Sequence, residues 1–380
     1  MKLLVITNIP TPYRIAFFNV LCQKLTSENN QFKVLYCSDS EPDRHWTINF
    51  SEQKFDYKIL RGFHYTIGSF FLHFNPSVLK ETKNFNPDFI LYAGSWNMPT
   101  VILSLIFNFI FNKKYIKIFW SEGHDSSILY KTGVVPKIRK LIQNLFDGFA
   151  VPNERSKTYL FDILKLRKKP IFILPNTVDG SFFTKSNNWS NKDSRRIKEK
   201  FKLSVDSKIL IQVAQIEDRK GVKELVEYWQ KITNKNNFQL VLIGEGSLKN
   251  ELIIATKSIK SIRFLGNKSN EDVRDLLFAS DVFILLTKND PNPLTLIEAS
   301  FAKLPILTTR FAGNCNEIVI GENGIILDEI TFDNFKIGFE KICEFSLLKG
   351  GDVSCINAQK NFDINVVSSN FVLQLKNHLI

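Results

Sequence analysis

Two acidic residues in the segment 281–309 have a spacing suited to binding a polar ligand. Asp290 lies in a polar loop, and Glu298 follows eight positions later. The apolar run 282–286 before the loop predicts a strand that is buried on both faces. Because parallel sheets bind ligands beyond the carboxyl ends of their strands, we expect both carboxylates to approach one ligand from different heights. An ordinary strand–helix–strand unit with a solvated acidic loop has the same pattern.

The loop leads into a predicted helix that begins at Pro293. Proline suits the first helical position because its φ angle is preset, and Asn292 before it is a suitable N-cap. The N–H groups of Leu294 and Thr295 then have no partner within the helix, and the helix dipole favours an anion beside them. The pattern predicts an anion-binding helix start, followed by a further strand at 305–309.

A histidine and acidic residues follow another predicted strand, at 115–120. Glu122 and His124 lie directly after its end, where side chains are placed for proton transfer. We therefore take both as candidate catalytic residues. A loop histidine on an ordinary surface is the alternative interpretation.

Arg14 ends a stiff loop, 8–14, between a predicted first strand at 2–7 and a helix from Ile15. A guanidinium at this position could bind a phosphate or an acidic acceptor through paired N–H groups. A solvated helix start explains Arg14 equally well.

A glycine pair, Gly244 and Gly246, follows the predicted strand at 239–243. Glycine has no side chain, so a ligand can approach the backbone closely at such positions. The pair alone has low specificity.

The overall composition is that of a basic globular protein. The 380 residues are 44% apolar, with a net charge of +12. The five cysteines are scattered and lack metal-binding spacing, which favours a reduced cytoplasmic location. Neither a phosphate-binding Walker loop nor a Gly-x-Ser-x-Gly nucleophile is found. The apolar run 101–111 is too short to span a bilayer.

The order of the elements predicts an α/β protein with two domains. We expect an N-terminal domain at 1–180, a polar linker at 181–203 and a second domain at 204–360. The last residues, 361–380, predict a helix.

Three motifs occur along the chain in the order of one known family. The segment Asp290-Pro-Asn-Pro-Leu-Thr-Leu-Ile-Glu298-Ala resembles the signature of retaining GT-B glycosyltransferases of family GT4, which is an acid, seven residues and Glu-Ala. Lys220-Gly221 is similar to the family's donor-phosphate loop. The string Ile9-Pro-Thr-Pro-Tyr-Arg14 is similar to the opening of members that build bacterial surface polysaccharides. The resemblance implies the GT-B fold, with two Rossmann-like, doubly wound parallel sheets facing across a cleft, and a C-terminal helix that returns to the first domain.

The resemblance also implies roles for individual residues. Lys220 contacts the donor diphosphate, Glu298 holds the ribose hydroxyls, and Asp290 holds hydroxyls of the transferred sugar. A histidine near the position of His124 contacts that sugar in relatives. Gln215 stands where the family usually has arginine, and Arg219 is the candidate to compensate for the lost charge.

The implied function is retaining, metal-independent transfer of a sugar from a UDP- or GDP-sugar to a glycan or lipid-linked acceptor in surface polysaccharide synthesis. No cofactor is expected, because the Asp-x-Asp motif of metal-dependent transferases is missing. The basic residues of 131–140 beside apolar ones suit an anionic membrane, so we expect a cytoplasmic protein peripheral on the inner face of the plasma membrane, with no nucleic-acid partner. The alternatives are a GT-B epimerase or hydrolase acting on sugar nucleotides, and a catalytically weak binding subunit.

Overall fold

The chain folds into two compact units in the computed structural model. The first unit is Met1–Pro175 together with Ile364–Ile380, and the second is Asn176–Asp363. The structure describes residues 1–42, 49–67, 70–111, 115–124, 133–344 and 347–379.

Strands and helices alternate along the first unit. Its strands are β1 (Lys2–Thr7), β2 (Gln31–Tyr36), β3 (Asp56–Ile59), β4 (Phe63–Ile67), β5 (Phe70–Phe74), β6 (Phe89–Tyr92), β7 (Ile116–Trp120), β8 (Gly148–Val151) and β9 (Ile171–Ile173). Its helices before β9 are α1 (Pro12–Thr26), α2 (Ser77–Phe85), α3 (Pro99–Ile110), α4 (Val134–Gln143) and α5 (Glu154–Thr158), which continues into a π-helical turn at Tyr159–Ile163.

Seven of the described strands form a parallel sheet in the order β3-β2-β1-β6-β7-β8-β9, and β4 pairs with β5 in a separate antiparallel hairpin. In β1, Leu3 and Val5 enter one apolar layer while Leu4 and Ile6 enter the other. A strand buried on both faces must be apolar throughout, which is why β1 was recognisable in the sequence. The chain order reverses between β1 and β6, and such a reversal opens a crevice at the carboxyl ends of the two strands.

The second unit repeats this architecture. Its strands are β10 (Lys208–Val213), β11 (Phe238–Ile243), β12 (Ile262–Gly266), β13 (Val282–Leu285), β14 (Ile306–Thr309) and β15 (Gly324–Leu327). Its helices are α6 (Gly180–Phe183), α7 (Asn191–Lys200), α8 (Val222–Lys231), α9 (Lys249–Ala255), α10 (Asn270–Phe278), α11 (Leu294–Phe301), α12 (Cys315–Ile318), α13 (Phe332–Glu344) and α14 (Leu347–Asn361). The described strands pair in parallel in the order β12-β11-β10-β13-β14-β15, so the reversal lies between β10 and β13. The predicted class of two parallel α/β sheets is confirmed.

The last helix, α15 (Ile364–Leu379), packs on α1 in the first unit. Its residues Phe371 and Leu375 are fully buried in the same apolar layer as Leu3. The first unit therefore obtains part of its core from the end of the chain.

The segment predicted to be a linker, 181–203, differs from that expectation. It contains most of α6 and all of α7, whose start is fixed by a capping box between Ser190 and Asp193. Phe183, Ile197 and Leu203 are buried in the core of the second unit. The segment is polar on average, but its few apolar residues are enough to bind it to that core.

None of the helices in the described ranges is long and apolar enough to cross a bilayer.

Candidate functional site

The loop between β13 and α11 lies at the strand-order reversal of the second unit. All four residues of β13 are fully buried, and the loop emerges beside the end of β10. The backbone of Asp290 is fixed to the following loop, since its carbonyl accepts from the N–H of Gly313 at 2.8 Å and its N–H donates to the carbonyl of Phe311 at 3.3 Å. Asp290 is therefore held in place before any ligand binds.

Helix α11 begins at Leu294, one residue later than predicted. Pro293 is extended, with φ −64° and ψ 113°, and occupies the N-cap position. The predicted N-cap, Asn292, is wrong: no side chain caps this helix, and the backbone N–H of Asn292 instead donates to Oδ1 of Asp290 at 3.3 Å. The first-turn N–H groups of Leu294 and Thr295 therefore remain available to an anion, as expected for an uncapped helix start.

Lys220 ends a short 3₁₀ turn, Asp218–Lys220, between β10 and α8. The next residue, Gly221, has φ +64°, and a Cβ atom there would lie 1.8 Å from the carbonyl oxygen of Leu286. Only glycine permits this approach, so the turn is pressed against the chain at the end of β13. Two hydrogen bonds stabilise this contact. The carbonyl of Arg219 accepts from Thr287 Oγ1 at 3.0 Å and from the N–H of Lys288 at 2.9 Å.

The two loops bring Lys220 and Asp290 together in an ion pair between Nζ and Oδ2. Each side chain is 12% exposed, and in the described chain Asp290 is the one side chain paired with Lys220. The pKa of Lys220 lies below its usual value. Burial lowers it most, the neighbouring Asp290 partly opposes this, and Arg219 lowers it further. Sequence reasoning selected both residues but missed their contact. The contact could have been predicted from the expected strand order. β10 and β13 are neighbours at the reversal, so the loops that follow them must meet.

Glu298 lies in the second turn of α11, five residues into the helix and closer to its start than predicted. Burial raises the pKa of its carboxyl group to about 7, although the residue keeps some exposed surface. Within the described residues the carboxyl group has no hydrogen-bond or ion-pair partner. A desolvated carboxyl group without partners can accept hydrogen bonds from ligand hydroxyls.

The predicted substitute for the missing charge lies next to Gln215. Nη2 of Arg219 donates to Oε1 of Gln215 at 2.5 Å, and both residues are exposed. Arg219 is also close enough to lower the pKa of Lys220. The structure therefore brings a second cation beside Lys220.

The glycine pair lies where two loops of the protein approach each other closely. Gly244 has φ +139°, and a Cβ atom there would lie 2.0 Å from the carbonyl oxygen of Ala214. At Gly246 a Cβ atom would lie 2.4 Å from the carbonyl oxygen of Ile216. Both glycines permit close packing of two loops of the protein, so ligand contact is not needed to explain them.

Arg14 lies in the first turn of α1, which begins at Pro12 rather than at Ile15 as predicted. Its Nη1 donates to Thr7 Oγ1 at 2.9 Å and to the carbonyl of Ala93 at 2.5 Å, and its Nη2 lies 3.7 Å from Glu122. The guanidinium carbon also lies 5.0 Å from the centre of the Trp120 ring. Burial opposes the charge, but Tyr13 and Glu122 raise the pKa of Arg14 above its usual value, so the group is a cation.

The two predicted catalytic residues of the first unit have different surroundings. The side chain of Glu122 is about one-third exposed and pairs with Arg14, while His124 is fully buried. A fully buried imidazole has no exposed surface for contact with a substrate. The neighbouring Asp125 and the basic Lys131 lie outside the described residues.

The part of the chain that the structure describes contains no group of three or more His, Cys, Asp or Glu residues that could hold a metal ion.

Comparison with known proteins gives three kinds of match. Residues 193–345 match the family model for glycosyl transferases group 1. Over 212 residues the chain is 26% identical to N-acetyl-alpha-D-glucosaminyl L-malate synthase of Bacillus anthracis, covering 54% of this chain and 53% of the relative. Over 161 residues it is 30% identical to the capsular polysaccharide biosynthesis glycosyltransferase CapM of Staphylococcus aureus, covering 40% of each chain. The matches thus span about half or less of these relatives.

A solved structure of Anabaena Alr3699/HepE in complex with UDP and glucose has a TM-score of 0.73 to this chain. The superposition covers 99% of this chain and 100% of the HepE chain, with 13% sequence identity. At this identity the similarity shows the fold alone. Residues 193–345 of the second unit thus resemble the glycosyl transferases group 1, and over its whole length the chain has the GT-B fold.

Proposed function

We propose that the protein is a retaining glycosyltransferase that moves a sugar from a UDP-sugar to a hydroxyl group of a glycan or lipid-linked saccharide. The observation that supports this best is the arrangement in the second unit. A largely buried lysine–aspartate ion pair, an uncapped helix start and a carboxyl group without a partner in the described residues all belong to the segments that follow β10 and β13. UDP is preferred over GDP because HepE, which shares the fold, was solved with UDP.

The diphosphate of the donor binds Lys220 in this proposal. Its oxygens replace the carboxylate of Asp290 as the partner of Nζ, and they accept from the N–H groups of Leu294 and Thr295. Arg219 adds a second positive charge at the mouth of the site. As the bond to the sugar breaks, negative charge develops on the diphosphate, and these fixed groups stabilise it.

The released Asp290 then accepts hydrogen bonds from hydroxyls of the transferred sugar. Its backbone is already fixed by Gly313 and Phe311, so only the side chain has to turn. This exchange couples diphosphate binding to sugar binding, because the carboxylate is free for the sugar only when a phosphate has taken its place.

Glu298 binds the ribose hydroxyls of the nucleotide. A carboxylate that accepts two hydroxyl hydrogen bonds is stabilised in its charged form, which lowers its pKa from about 7. Nucleotide binding therefore releases a proton near neutral pH.

The first unit holds the acceptor and contacts an anionic membrane in this proposal, with the protein peripheral on the cytoplasmic face. Val134, Ile138 and Leu141 of α4 are exposed and form one stripe, beside the basic Lys137 and Lys140. Apolar residues flanked by lysines bind the interface of anionic bilayers.

Helix α3 extends this surface. Phe109 is 78% exposed, and Ile110 and Phe111 beside it are exposed as well. α3 and α4 follow the neighbouring strands β6 and β7 and pack on the same apolar layer, so we expect their outer faces to lie side by side. CapM, which acts in capsular polysaccharide biosynthesis, is a relative consistent with an acceptor at the membrane.

The membrane surface is tested by flotation with vesicles that contain phosphatidylglycerol. We expect binding at low salt, release at high salt and loss of binding in Leu141→Ser. The matched control is Leu348→Ser, which removes an exposed leucine of the second unit. Equal flotation of both variants, or none of the wild type at low salt, rejects this surface.

The transferase proposal is tested with UDP-glucose, UDP-galactose, UDP-N-acetylglucosamine and GDP-mannose. We expect UDP and one UDP-sugar to raise the melting temperature, and that sugar to be transferred to an alkyl glycoside with retained configuration at its reacting carbon. Glu298→Ala should abolish the thermal shift. Release of free sugar without transfer, or an epimerised donor, would favour the hydrolase or epimerase; binding without any turnover would favour a binding subunit.

A further inference from the structure

Lys288, in the loop after β13, contacts the chain on both sides of Lys220 and takes no part in the proposed diphosphate contacts. Its Nζ lies 2.8 Å from Oδ1 of Asp218 and 2.7 Å from Oε1 of Glu224. Asp218 begins the short turn that ends at Lys220, and Glu224 lies in the first turn of α8. A single ammonium group therefore connects the loop to the turn and to the helix that follows it.

The two carboxylates that pair with Lys288 differ in exposure. The side chain of Asp218 is 67% exposed, and such ion pairs add little to stability because water screens them. The side chain of Glu224 is 22% exposed, and its second oxygen, Oε2, is buried without a hydrogen-bond partner. In the described chain Lys288 is the one cation paired with Glu224, and a largely buried carboxylate is costly to leave unpaired. The contact with Glu224 is therefore the one that fixes Lys288.

The positive charge of Lys288 is present throughout the neutral pH range. Burial lowers the pKa of Lys288, but the hydrogen bonds to Asp218 and Glu224 raise it more, so the pKa lies above its usual value. A raised pKa keeps an ammonium group protonated at neutral pH. The cation of this ion pair is therefore present over the range in which the carboxyl group of Glu298 titrates.

Ion pairs join the loop after β13 to the segment around Lys220 at two places. One is the pair of Lys220 with Asp290, which the diphosphate replaces in the proposed function. The other is Lys288, whose Nζ pairs with Glu224 and whose backbone N–H donates to the carbonyl of Arg219 at 2.9 Å. This second connection includes neither Lys220 nor Asp290, so donor binding leaves it intact. It continues to hold the turn when the first connection is lost.

We propose that Lys288 is a positioning residue: it holds the turn that carries Lys220, so that Nζ of Lys220 is directed at the diphosphate after Asp290 has been displaced. This role rests on the proposed transferase function. Ordering a turn and a long side chain costs conformational entropy, which weakens binding if it has to happen when the ligand arrives. Lys288 orders the turn during folding, before the donor binds.

The role is tested by calorimetric titration with UDP and by the rate of UDP release from the preferred UDP-sugar. We expect Lys288→Met to weaken UDP binding about fivefold and to lower kcat about tenfold, whereas Lys288→Arg keeps both within twofold of wild type. Asp218→Asn, which removes only the exposed carboxylate, is the matched control and should also stay within twofold. Wild-type affinity and kcat in Lys288→Met overturn the role.

Glu224→Met separates positioning from a simple effect of charge. If Lys288 acted only as a positive charge near the donor, removing the negative charge of Glu224 would strengthen UDP binding. Positioning requires the pair, so we expect Glu224→Met to weaken UDP binding as Lys288→Met does. The double variant Lys288→Met/Glu224→Met leaves no charge of this pair unpaired, so it should fold even where a single variant does not, with the same weakened affinity. Tighter binding in Glu224→Met, or wild-type affinity in the double variant, overturns the role.

A second pair of variants tests whether Lys288 acts through Lys220. In Lys220→Ala the turn has no ammonium group to direct, so adding Lys288→Met should change UDP affinity by less than twofold. A residue needed only for stability, or one whose charge acts directly on the diphosphate, keeps its full effect in that background. A loss as large as that caused by Lys288→Met alone overturns positioning.

Hydrogen exchange tests the hold on the turn without any ligand. The amides of Lys220 and Gly221 donate to the carbonyls of Glu217 and Asp218 at 3.0 and 2.9 Å, so their exchange reports the order of the turn. We expect both amides to exchange about tenfold faster in Lys288→Met than in wild type or Asp218→Asn. Equal exchange overturns the role.

The thermal shift that UDP produces in the same preparations separates this role from the proposed function. Its absence in the wild type rejects the proposed function, while hydrogen exchange still decides whether Lys288 holds the turn. A wild-type shift together with unchanged UDP affinity and kcat in Lys288→Met rejects the role of Lys288 alone.

Discussion

Each unit places a cation and a carboxylate where its strand order reverses, and the two pairs differ in what else they contact. In the first unit Arg14 bonds to Thr7 and Ala93, lies over Trp120 and pairs with Glu122. In the second unit Lys220 bonds to Asp290 as its one side-chain partner in the described residues. Both N–H groups of Arg14 Nη1 bond to the protein and Nη2 faces Glu122, whereas the ammonium group of Lys220 has three donors and one side-chain partner in the described residues, and so has more capacity for a ligand. The comparison indicates a structural cation in the first unit and a binding cation in the second.

The largest expected effect is that of Lys220→Ala. We expect UDP release from the preferred UDP-sugar to slow by about 10²–10³-fold, because a preorganised charge on the leaving group is lost. The control is Lys223→Ala, which removes an exposed lysine of α8. Equal rates in the two variants would show that Lys220 is structural, like Arg14.

Arg14→Met should instead reduce stability. The change leaves Glu122 without its cation and Thr7 Oγ1 without a donor, and the carbonyl of Ala93 keeps only its bond from Thr7, so we expect the free energy of unfolding of the first unit to fall by about 2 kcal/mol in urea titrations. The thermal shift on UDP binding should keep its size. If the thermal shift on UDP binding is lost and the stability is unchanged, Arg14 is a binding residue and the proposed difference between the two units is wrong.

Glu298 predicts a pH dependence of nucleotide binding. The pKa is about 7 in the free chain, and hydrogen bonds from ribose hydroxyls lower it in the complex. UDP affinity should therefore rise as pH increases toward 7, by up to about tenfold per pH unit, and level off above 7. Calorimetry in buffers of different ionisation enthalpy should detect the released proton. Glu298→Gln should remove the pH dependence, and a flat wild-type profile would contradict the assignment.

Asp290→Asn tests whether the aspartate competes with phosphate for Lys220. The amide keeps the shape of the side chain but removes the charge that holds Nζ, so UDP without a sugar should bind several-fold more tightly. Asp218→Asn, at the exposed start of the same turn, is the control. Weaker UDP binding in Asp290→Asn alone would mean that the carboxylate positions Lys220 rather than blocks it.

The smallest expected effect is that of Asn292→Ala on stability. A true N-cap would lose about 1 kcal/mol, but the side chain of Asn292 makes no cap hydrogen bond. We expect a change within about 0.5 kcal/mol in urea unfolding. Ser190→Ala, which breaks the capping box of α7, supplies the positive control.

The sequence was sufficient for those features that depend on local pattern. Buried strands such as β1 and β13 are uninterrupted apolar runs, and the loops after them were located because ligands bind at strand ends. The start of α11 was misplaced by one residue, because the preference of proline for the first helical turn does not reveal that Pro293 keeps an extended ψ angle.

Contacts between residues that are distant in the sequence could not be predicted from local pattern. The pairing of Lys220 with Asp290 joins positions 70 residues apart, and it depends on which strands are neighbours. The same holds for Lys288 and Glu224, two residues without a recognisable spacing that the neighbouring strands β10 and β13 bring together. The burial of His124 likewise depends on side chains from the rest of the unit.

The return of α15 to the first unit affects the order in which the chain can fold during synthesis. The second unit is continuous, and its two ends meet where Val178 bridges to Asp363. It can complete its core before the last helix leaves the ribosome. The first unit is synthesised earlier but must wait for Phe371 and Leu375. Domains usually fold from the N-terminus onward, and here the later unit is expected to finish first.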